Sequence, residues 1–475
     1  MTHKSGCKFY SLFNGTSGTT AETRQLETTF LSLTTKENNK ENSMKKQLLA
    51  MACSVACAAP AFAADAEIDH SGEFRARYNY ANQADFTEDQ GSGSFWEQRF
   101  LVGVNYRANE KFAAYLELLQ QSVWGNDIAN SENPGRFDGN NTENQVLAYQ
   151  AYGSWMIADG LMAKFGRMVV EDGNGLVLGQ DDWQQVPYSW DGGSLAYDAD
   201  FASLNLTGLK LSDLGFDQNS DGSDDVKTDT EWNIYVLSAD IKNLPDVIKD
   251  VHVHAIQSSY QNGAAGTATT GADSLRLGLT LGGVVSLVDY SVSYETHSGE
   301  TRVSGTGSDT DGNMIDAEVG FNFESFMNSR AYVRYHVDSG TSGSDNETYD
   351  SFFYNTHANA GLLDILAFGN LTWMSLGYEL KPSDSLQLGL HYHMFTKTEK
   401  DDNYYVVDTS SINGRTGVTS TGEDDLGSEI DLVATHKYDE DFQIQAILGF
   451  FQPGDVFGSD AEDRYDLVVT GTWMF

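Results

Sequence analysis

The chain has 475 residues, among them 46 Gly and only 6 Pro, with 12% aromatic residues and a formal charge of −40. Strong acidity can signal disorder, but 23 Tyr, 25 Phe and 8 Trp are too many for a chain that buries nothing. Nucleic acid is set aside as a partner, because phosphate binding needs clustered Lys and Arg.

Residues 1–43 are polar and without periodic pattern, and they read as an untranslated or disordered extension before a start at Met44. From there "MKKQLLAMACSVACAAPAFA" runs two lysines into an apolar stretch and an A-x-A site at Ala61-Phe62-Ala63. That is the layout of a secretory signal peptide over 44–63, cleaved after Ala63. Neither Cys53 nor Cys57 has a Leu three residues earlier, so a lipoprotein site is not indicated. Cys7, Cys53 and Cys57 all lie before residue 60, so the mature chain, residues 64–475, is expected to be exported and to need no disulfide.

Beyond residue 64, alternating segments of about ten residues recur, the signature of transmembrane β-strands. "FWEQRFLVGVNYR" (95–107) sets Phe100, Val102, Val104 and Tyr106 against Glu97, Arg99, Gly103, Asn105 and Arg107. "DSLRLGLTLGG" (273–283) sets four leucines against Arg276, Gly278 and Thr280. "SRAYVRYHVDSG" (329–340) sets Val333 and Tyr335 against Arg330, Arg334 and His336, and "SLQLGLHYHMF" (385–395) sets Leu388 and Leu390 against His391 and His393. A period of two places the apolar side toward lipid and the polar side toward water. Short polar turns at 107–111, 381–385 and 438–441 alternate with long Gly/Ser/Asp-rich stretches at 83–94, 124–144, 213–229, 299–313, 340–351 and 398–426. Short turns on one side and long loops on the other are the asymmetry of outer-membrane barrels, and bacterial single-chain barrels favour even strand numbers. The expectation is an all-β, transmembrane antiparallel barrel of about 18 strands with short periplasmic turns and long acidic extracellular loops. It would lie in the outer membrane of a Gram-negative bacterium, with membrane lipid and lipopolysaccharide as surroundings.

With that phase, Arg75, Arg77, Arg99, Arg107, Arg276, Arg330 and Arg334 project into the lumen as candidate solute contacts, interspersed with Glu73, Glu97, Asp289, Glu295, Asp316, Glu318 and Glu324. Mixed lumen charge makes a weakly selective aqueous channel. In "DQNSDGSDD" (217–225), Asp217, Asn219, Asp221, Ser223 and Asp225 offer oxygens at calcium-loop spacing around Gly222, although Thr228 stands where the bidentate Glu belongs. Calcium in such loops is the one cofactor the sequence suggests, and none is required; "SDTDGN" (308–313) is a weaker copy. His252 with His254, and His391 with His393, are i,i+2 pairs on one strand face, open to two readings: polar lining or transition-metal chelation. No G-x-S-x-G, H-E-x-x-H or P-loop motif occurs, so neither catalysis nor nucleotide-driven pumping is indicated. The chain closes on "DRYDLVVTGTWMF", whose outward row ends in Trp473 and Phe475.

"KFGRMVVEDGNGLVLGQDDWQQVPYSWDGGSLAYD" (164–198) resembles the alginate-export family of outer-membrane barrels through Gly166, Arg167, Gly173, Gly175, Asp182, Trp183, Trp190, Asp191 and Gly192. Residues 352–371, with His357 and Asp364, and residues 426–457 resemble the family's late loop and penultimate hairpin. The resemblance implies an 18-stranded monomeric barrel in which Arg167, Asp182, Trp183 and Asp191 brace an inward loop that narrows the pore. A C-terminal strand ending on Phe475 resembles the signal read by the barrel assembly machinery. The family's best-known members pass an anionic exopolysaccharide through an arginine-rich lumen. Removing residues 1–63 takes away more basic than acidic residues, so the mature surface is more acidic still. It repels a polyanion over a Debye length of about 8 Å. The expected function is therefore passive passage of a small polar solute or saccharide other than alginate. A structural or adhesive surface protein with cation-binding acidic loops is the alternative.

Overall fold

The structure is a computed structural model that describes residues 66–82, 92–124, 146–213, 228–264, 270–303, 306–343, 345–357, 359–408, 415–419 and 422–475. The segment 44–63 expected as a signal peptide and the 217–225 calcium-like loop lie outside the described residues. The wall begins with β1 (Glu67–Ala81), β2 (Gly93–Asn109), β3 (Phe112–Val123), β4 (Val146–Ala158), β5 (Leu161–Met168) and β6 (Trp190–Asp198). It continues through β7 (Ala202–Asp213), β8 (Thr228–Ile241), β9 (Asp250–Ala264), β10 (Thr270–Val285), β11 (Val288–Val303) and β12 (Thr306–Phe323). Then follow β13 (Ser329–Asp338), β14 (Leu371–Ser383) and β15 (Leu386–Lys397). A small hairpin of β16 (Tyr404–Val407) and β17 (Arg415–Val418) stands apart from the wall, which ends with β18 (Asp425–Lys437), β19 (Phe442–Pro453) and β20 (Arg464–Met474).

Each wall strand pairs antiparallel with the next, and β20 returns to β1, so 18 strands close without an edge. Closure satisfies every wall ladder internally, which is what a lipid core demands of a spanning sheet. The alternation sorts as expected: Phe100, Leu277, Val333 and Leu390 are exposed on the outside, while Arg99, Arg276, His336 and His393 are buried inside. Connections at one end are tight, such as those at β2–β3, β4–β5, β10–β11 and β14–β15. The long connections, β5–β6, β13–β14 and β15–β18 among them, gather at the other end.

Residues 299–313 depart from the expected loop. β11 runs on to Val303 and β12 begins at Thr306, with Val303 and Thr306 as the last register pair. Glycine and aspartate disfavour strands only weakly when a neighbouring strand supplies the ladder. The "SDTDGN" copy is consequently an extended strand segment rather than a loop, with Asp309 and Asp311 exposed on one face and Thr310 buried on the other.

An 18-stranded barrel is wide enough to leave a channel unless something fills it. Here the connections 169–189 and 339–370 turn inward and build an apolar core inside the lumen. Leu176, Val177 and Leu178 from the first pack with Phe352, Phe353, Tyr354, Leu363 and Phe368 from the second. The expected loop at 340–351 thus ends inside the barrel, where Tyr349 and Ser351 are fully buried.

Candidate functional site: a two-loop constriction in the lumen

The two inward loops are joined edge to edge. Leu178 and Phe353 form an isolated parallel bridge, the Gly179 N–H donates to Phe353 O at 2.6 Å, and the Asn355 N–H donates to Gly175 O at 2.9 Å. Gly175 is in the left-handed region at φ +71°, and a Cβ there would fall 2.1 Å from Asn355 Nδ2. Only glycine turns the chain and admits the asparagine. The buried Asp181 carboxylate then accepts the Thr356 N–H at 3.1 Å and the Thr356 hydroxyl at 3.0 Å. Burial, reinforced by the nearby charge of Asp364, pushes the Asp181 carboxyl up to about 6.

Three arginines fasten the first loop to β1 and β2. Arg75 donates to the carbonyls of Asp182 (2.8 Å), Trp183 (3.3 Å) and Gln184 (2.7 Å). Arg99 donates to those of Asp182 and Gln184 and pairs with Asp182 Oδ1 at 2.9 Å and Glu73 at 2.7 Å. Arg77 donates to Trp183 O at 2.7 Å, pairs with Glu97 at 3.3 Å, and lays its guanidinium 3.8 Å over the Trp183 ring. The other face of Trp183 stacks on His357, 3.7 Å between centroids and 7° from parallel, and His357 is held in turn by Asp364 at 3.1 Å. Trp183 is thus clamped between wall and second loop. Arginine suits this task because one planar fork can serve two or three carbonyls at once.

The expected site residues therefore divide. Asp182 and Trp183 sit at the constriction. Arg75, Arg77 and Arg99 point inward as expected, yet they are at most 6% exposed and spend their donors on the loop rather than facing an open path. Their phase is legible in the sequence, but the loop about a hundred residues away that occupies them is not. Arg276 is likewise buried, 2.7 Å from Asp350 and 4.4 Å from the Phe352 ring. Arg107 pairs with Glu67 at 2.6 Å in an exposed position beside the β2–β3 turn. Arg330 pairs with Asp289 and Glu318, while Arg334 holds Asp316 at 3.0 Å and Asn359 at 2.7 Å and lies over Trp373. Arg167 and Asp191 leave the constriction altogether. They share the outward face of Phe165, which is 80% exposed, and pair with each other at 2.6 Å on the outside of the wall.

Residues the sequence did not single out complete the assembly. Arg415 on β17 pairs with Asp350 at 2.6 Å, from the side opposite Arg276. Glu429 on β18 accepts the Leu362 N–H at 2.6 Å. Their partners lie within an inward loop, 65 and 67 positions away, so no local spacing betrays them. Beside His391, which meets Tyr332 at 2.8 Å, His393 accepts the Trp373 indole N–H at Nδ1, 3.0 Å away. Its Nε2 faces Asp431 at 3.2 Å, with Glu429 close by.

Open space meets at Trp183. A cavity of about 840 Å³ reaches from Glu73, Arg75, Asp182 and Trp183 to the β18–β19 turn, with Gln443, Gln445, Thr470 and Thr472 along its wall. A second, of about 490 Å³, joins Trp183 and His357 to Tyr332, Arg334, Trp373 and Gln387. A third, of about 310 Å³, lies against Arg75, Asp181, Asp182, Asn355 and His357.

A closed barrel with an apolar outside, polar residues lining its inner face and a loop-built constriction between open cavities is an outer-membrane channel. Residues 67–469 match the alginate-export family, and the protein belongs to it. The fold is similar to that of Acinetobacter baumannii OccAB2, with a TM-score of 0.56 at 10% identity over 87% of this chain and 98% of that one. It is also similar to Pseudomonas aeruginosa OccD3 (OpdP), TM-score 0.55 at 14% identity over 87% and 92%, and to OccK8 (OprE) of the same organism, 0.53 at 11% over 87% and 99%. No curated protein matches the sequence.

Proposed function

We propose that the protein is a passive channel for a small polar solute, best fitted by a neutral saccharide, and that alginate is not its natural cargo. The observation that carries this reading is the division of labour among lumen groups. The guanidiniums nearest the constriction are buried against carboxylates and loop carbonyls, while the cavity surfaces combine aromatic rings, amides and hydroxyls with an excess of carboxylates such as Glu73, Asp182, Asp384 and Glu379 over Lys437 and Arg334. The half-buried Tyr332 ring and the edge of the clamped Trp183 line these cavities beside Gln387, Gln443, Gln445, Thr470 and Thr472, which offer donors and acceptors, a pairing that suits sugar rings. A polyanion needs rows of available positive charge, which paired arginines do not provide.

Without a nucleotide motif, the solute moves down its own gradient. The surroundings we assign are the outer-membrane lipid and lipopolysaccharide of a Gram-negative cell, with the chain a monomer delivered through its Phe475 strand to the assembly machinery. Calcium on loop 217–225 remains part of the proposal. The adhesive alternative rests chiefly on that acidic stretch, which lies outside the described residues.

Liposome swelling with purified protein tests the reading. Neutral di- and trisaccharides are expected to enter faster than uronic-acid oligomers of equal length. Preferential entry of the acidic oligomers would overturn the choice of solute, and absence of conductance steps in planar bilayers would remove the channel itself.

A further inference from the structure

The inward loop is tied to the opposite wall by a cluster that solute passage does not use. Asp172, near the start of the loop, directs Oδ2 at two histidines of β9. His252 Nε2 lies 2.9 Å from it and His254 Nδ1 lies 2.8 Å from it. The histidines are two residues apart on a strand, so their side chains leave the backbone on the same, inward side. We propose that Asp172, His252 and His254 form a binding site for one divalent transition-metal ion of the zinc class, which locks the constriction loop to the wall.

Three observations converge on a metal. The donor set, two imidazole nitrogens and one carboxylate oxygen, suits borderline ions of the first transition row and leaves a fourth position for water. Each histidine also has its remaining nitrogen on a carboxylate, as metal-ligating histidines usually do. His252 Nδ1 lies 2.7 Å from Asp240, and His254 Nε2 lies 3.2 Å from Glu295, whose other oxygen accepts the Tyr349 hydroxyl at 3.2 Å. These contacts fix both rings with the free nitrogen facing Asp172. Finally, the His254 side chain is about nine-tenths buried, and its Nδ1 makes no aligned hydrogen bond despite its closeness to the carboxylate. A buried polar atom is rarely left so.

Beside the cluster is a closed cavity of about 10 Å³, lined by Asn174, Thr280, Ser293 and Glu295, room for about one water as the fourth ligand. Zinc would sit about 2.0–2.1 Å from each ligand, which spreads tetrahedral ligand atoms to about 3.3 Å. The two oxygen–nitrogen distances fall a few tenths of an ångström short of that spacing, and all three ligand atoms lie within 4.8 Å of one another. The lock does not depend on which solute the channel carries.

Untagged protein, purified in detergent and stripped with a chelator, provides the test. Titration with Co²⁺ is expected to give one equivalent bound per chain with the visible absorption of a four-coordinate site, displaced by Zn²⁺. His252→Ala and His254→Ala should abolish that spectrum, and His391→Ala should leave it intact. Asp240→Asn should weaken binding about 10–100-fold, the usual effect of losing a carboxylate behind a ligating histidine. Wild-type protein that binds no Co²⁺ or Zn²⁺ stoichiometrically would overturn the proposal and leave an ionic latch only. A Co²⁺ spectrum that survives in the two histidine variants, with heat-modifiable gel mobility confirming folded barrels, would overturn it equally.

Discussion

Asp181 stands where the two inward loops meet, with left-handed backbone at φ 51° and about 3% exposure. Its carboxyl is pushed up to about 6 by burial first and by Asp364 second, whereas an unfolded aspartate titrates near 3.9. The folded state thus holds the proton more tightly. The stabilisation from this group is complete below about pH 4, declines as the pH rises to about 6, and is flat above; its ceiling is about 3 kcal/mol. In single-channel records the constriction should flicker more at pH 7 than at pH 4.5. Asp181→Asn has no proton to lose and should flicker equally at both, so a variant that keeps the pH dependence would place the sensor elsewhere. None of this was readable from the sequence. "QDDWQQ" marked Asp182 and Trp183 through the family resemblance, but Asp181 gains its role only from Thr356, 175 residues away.

At the level of strands, much was legible, because a barrel wall writes its two environments directly into a period of two. Arg99, Arg276 and His393 are inside, and Phe100, Leu277 and Leu390 outside, as the alternation requires. The reading failed where composition stood in for pairing, as at 299–313, and where a short strand gave too few residues to fix a phase. β5 has eight residues, and "LMAKFGRMVV" fits either face until Phe165 is seen to point outward. The seam between first and last strands was half legible. The aromatic end was evident, but its partner was not: the Gly72 N–H donates to Phe475 O at 2.8 Å, the Phe475 N–H donates to Gly72 O at 3.0 Å, and the Phe475 ring covers the glycine. A Cβ on Gly72 would fall 2.3 Å from that ring. Gly72→Leu should therefore push Phe475 off its contact with Phe100, which lies 6.0 Å away, and destabilise closure by about 1–3 kcal/mol, the usual penalty for overpacking. The folded fraction, read from heat-modifiable gel mobility after refolding, is expected to fall. An unchanged fraction would show that the terminal ring is not part of the seam.

For the molecule as a whole, wall and plug are separate constructions with different chemistry. The wall is held by ladders that close on themselves, and the apolar core lies inside the lumen, where the connections 169–189 and 339–370 pack on inward wall residues such as Ile234, Trp373 and Phe395. That separation makes the plug removable in principle, since among the described residues of 341–369 only Asn346 makes an isolated bridge to a wall strand, at Thr310, and none belongs to a wall ladder. Replacing them with a short Gly/Ser turn takes away Phe352, Phe353, Tyr354 and Phe368, the apolar filling, together with the Thr356 anchor of Asp181 and the His357 face of Trp183. Arg276 and Arg415 lose Asp350 but face water rather than a dry core, so the penalty of an orphaned buried charge does not arise. Barrels of this strand number enclose an aqueous channel when nothing fills them. The variant should fold to the same strand content by circular dichroism, conduct several-fold more current per step, and lose discrimination between neutral and acidic sugars. Equal conductance in variant and wild type would mean that the resistance of the pore lies outside the two-loop constriction, and the assignment of Trp183 and its clamp as the selective point would fall with it.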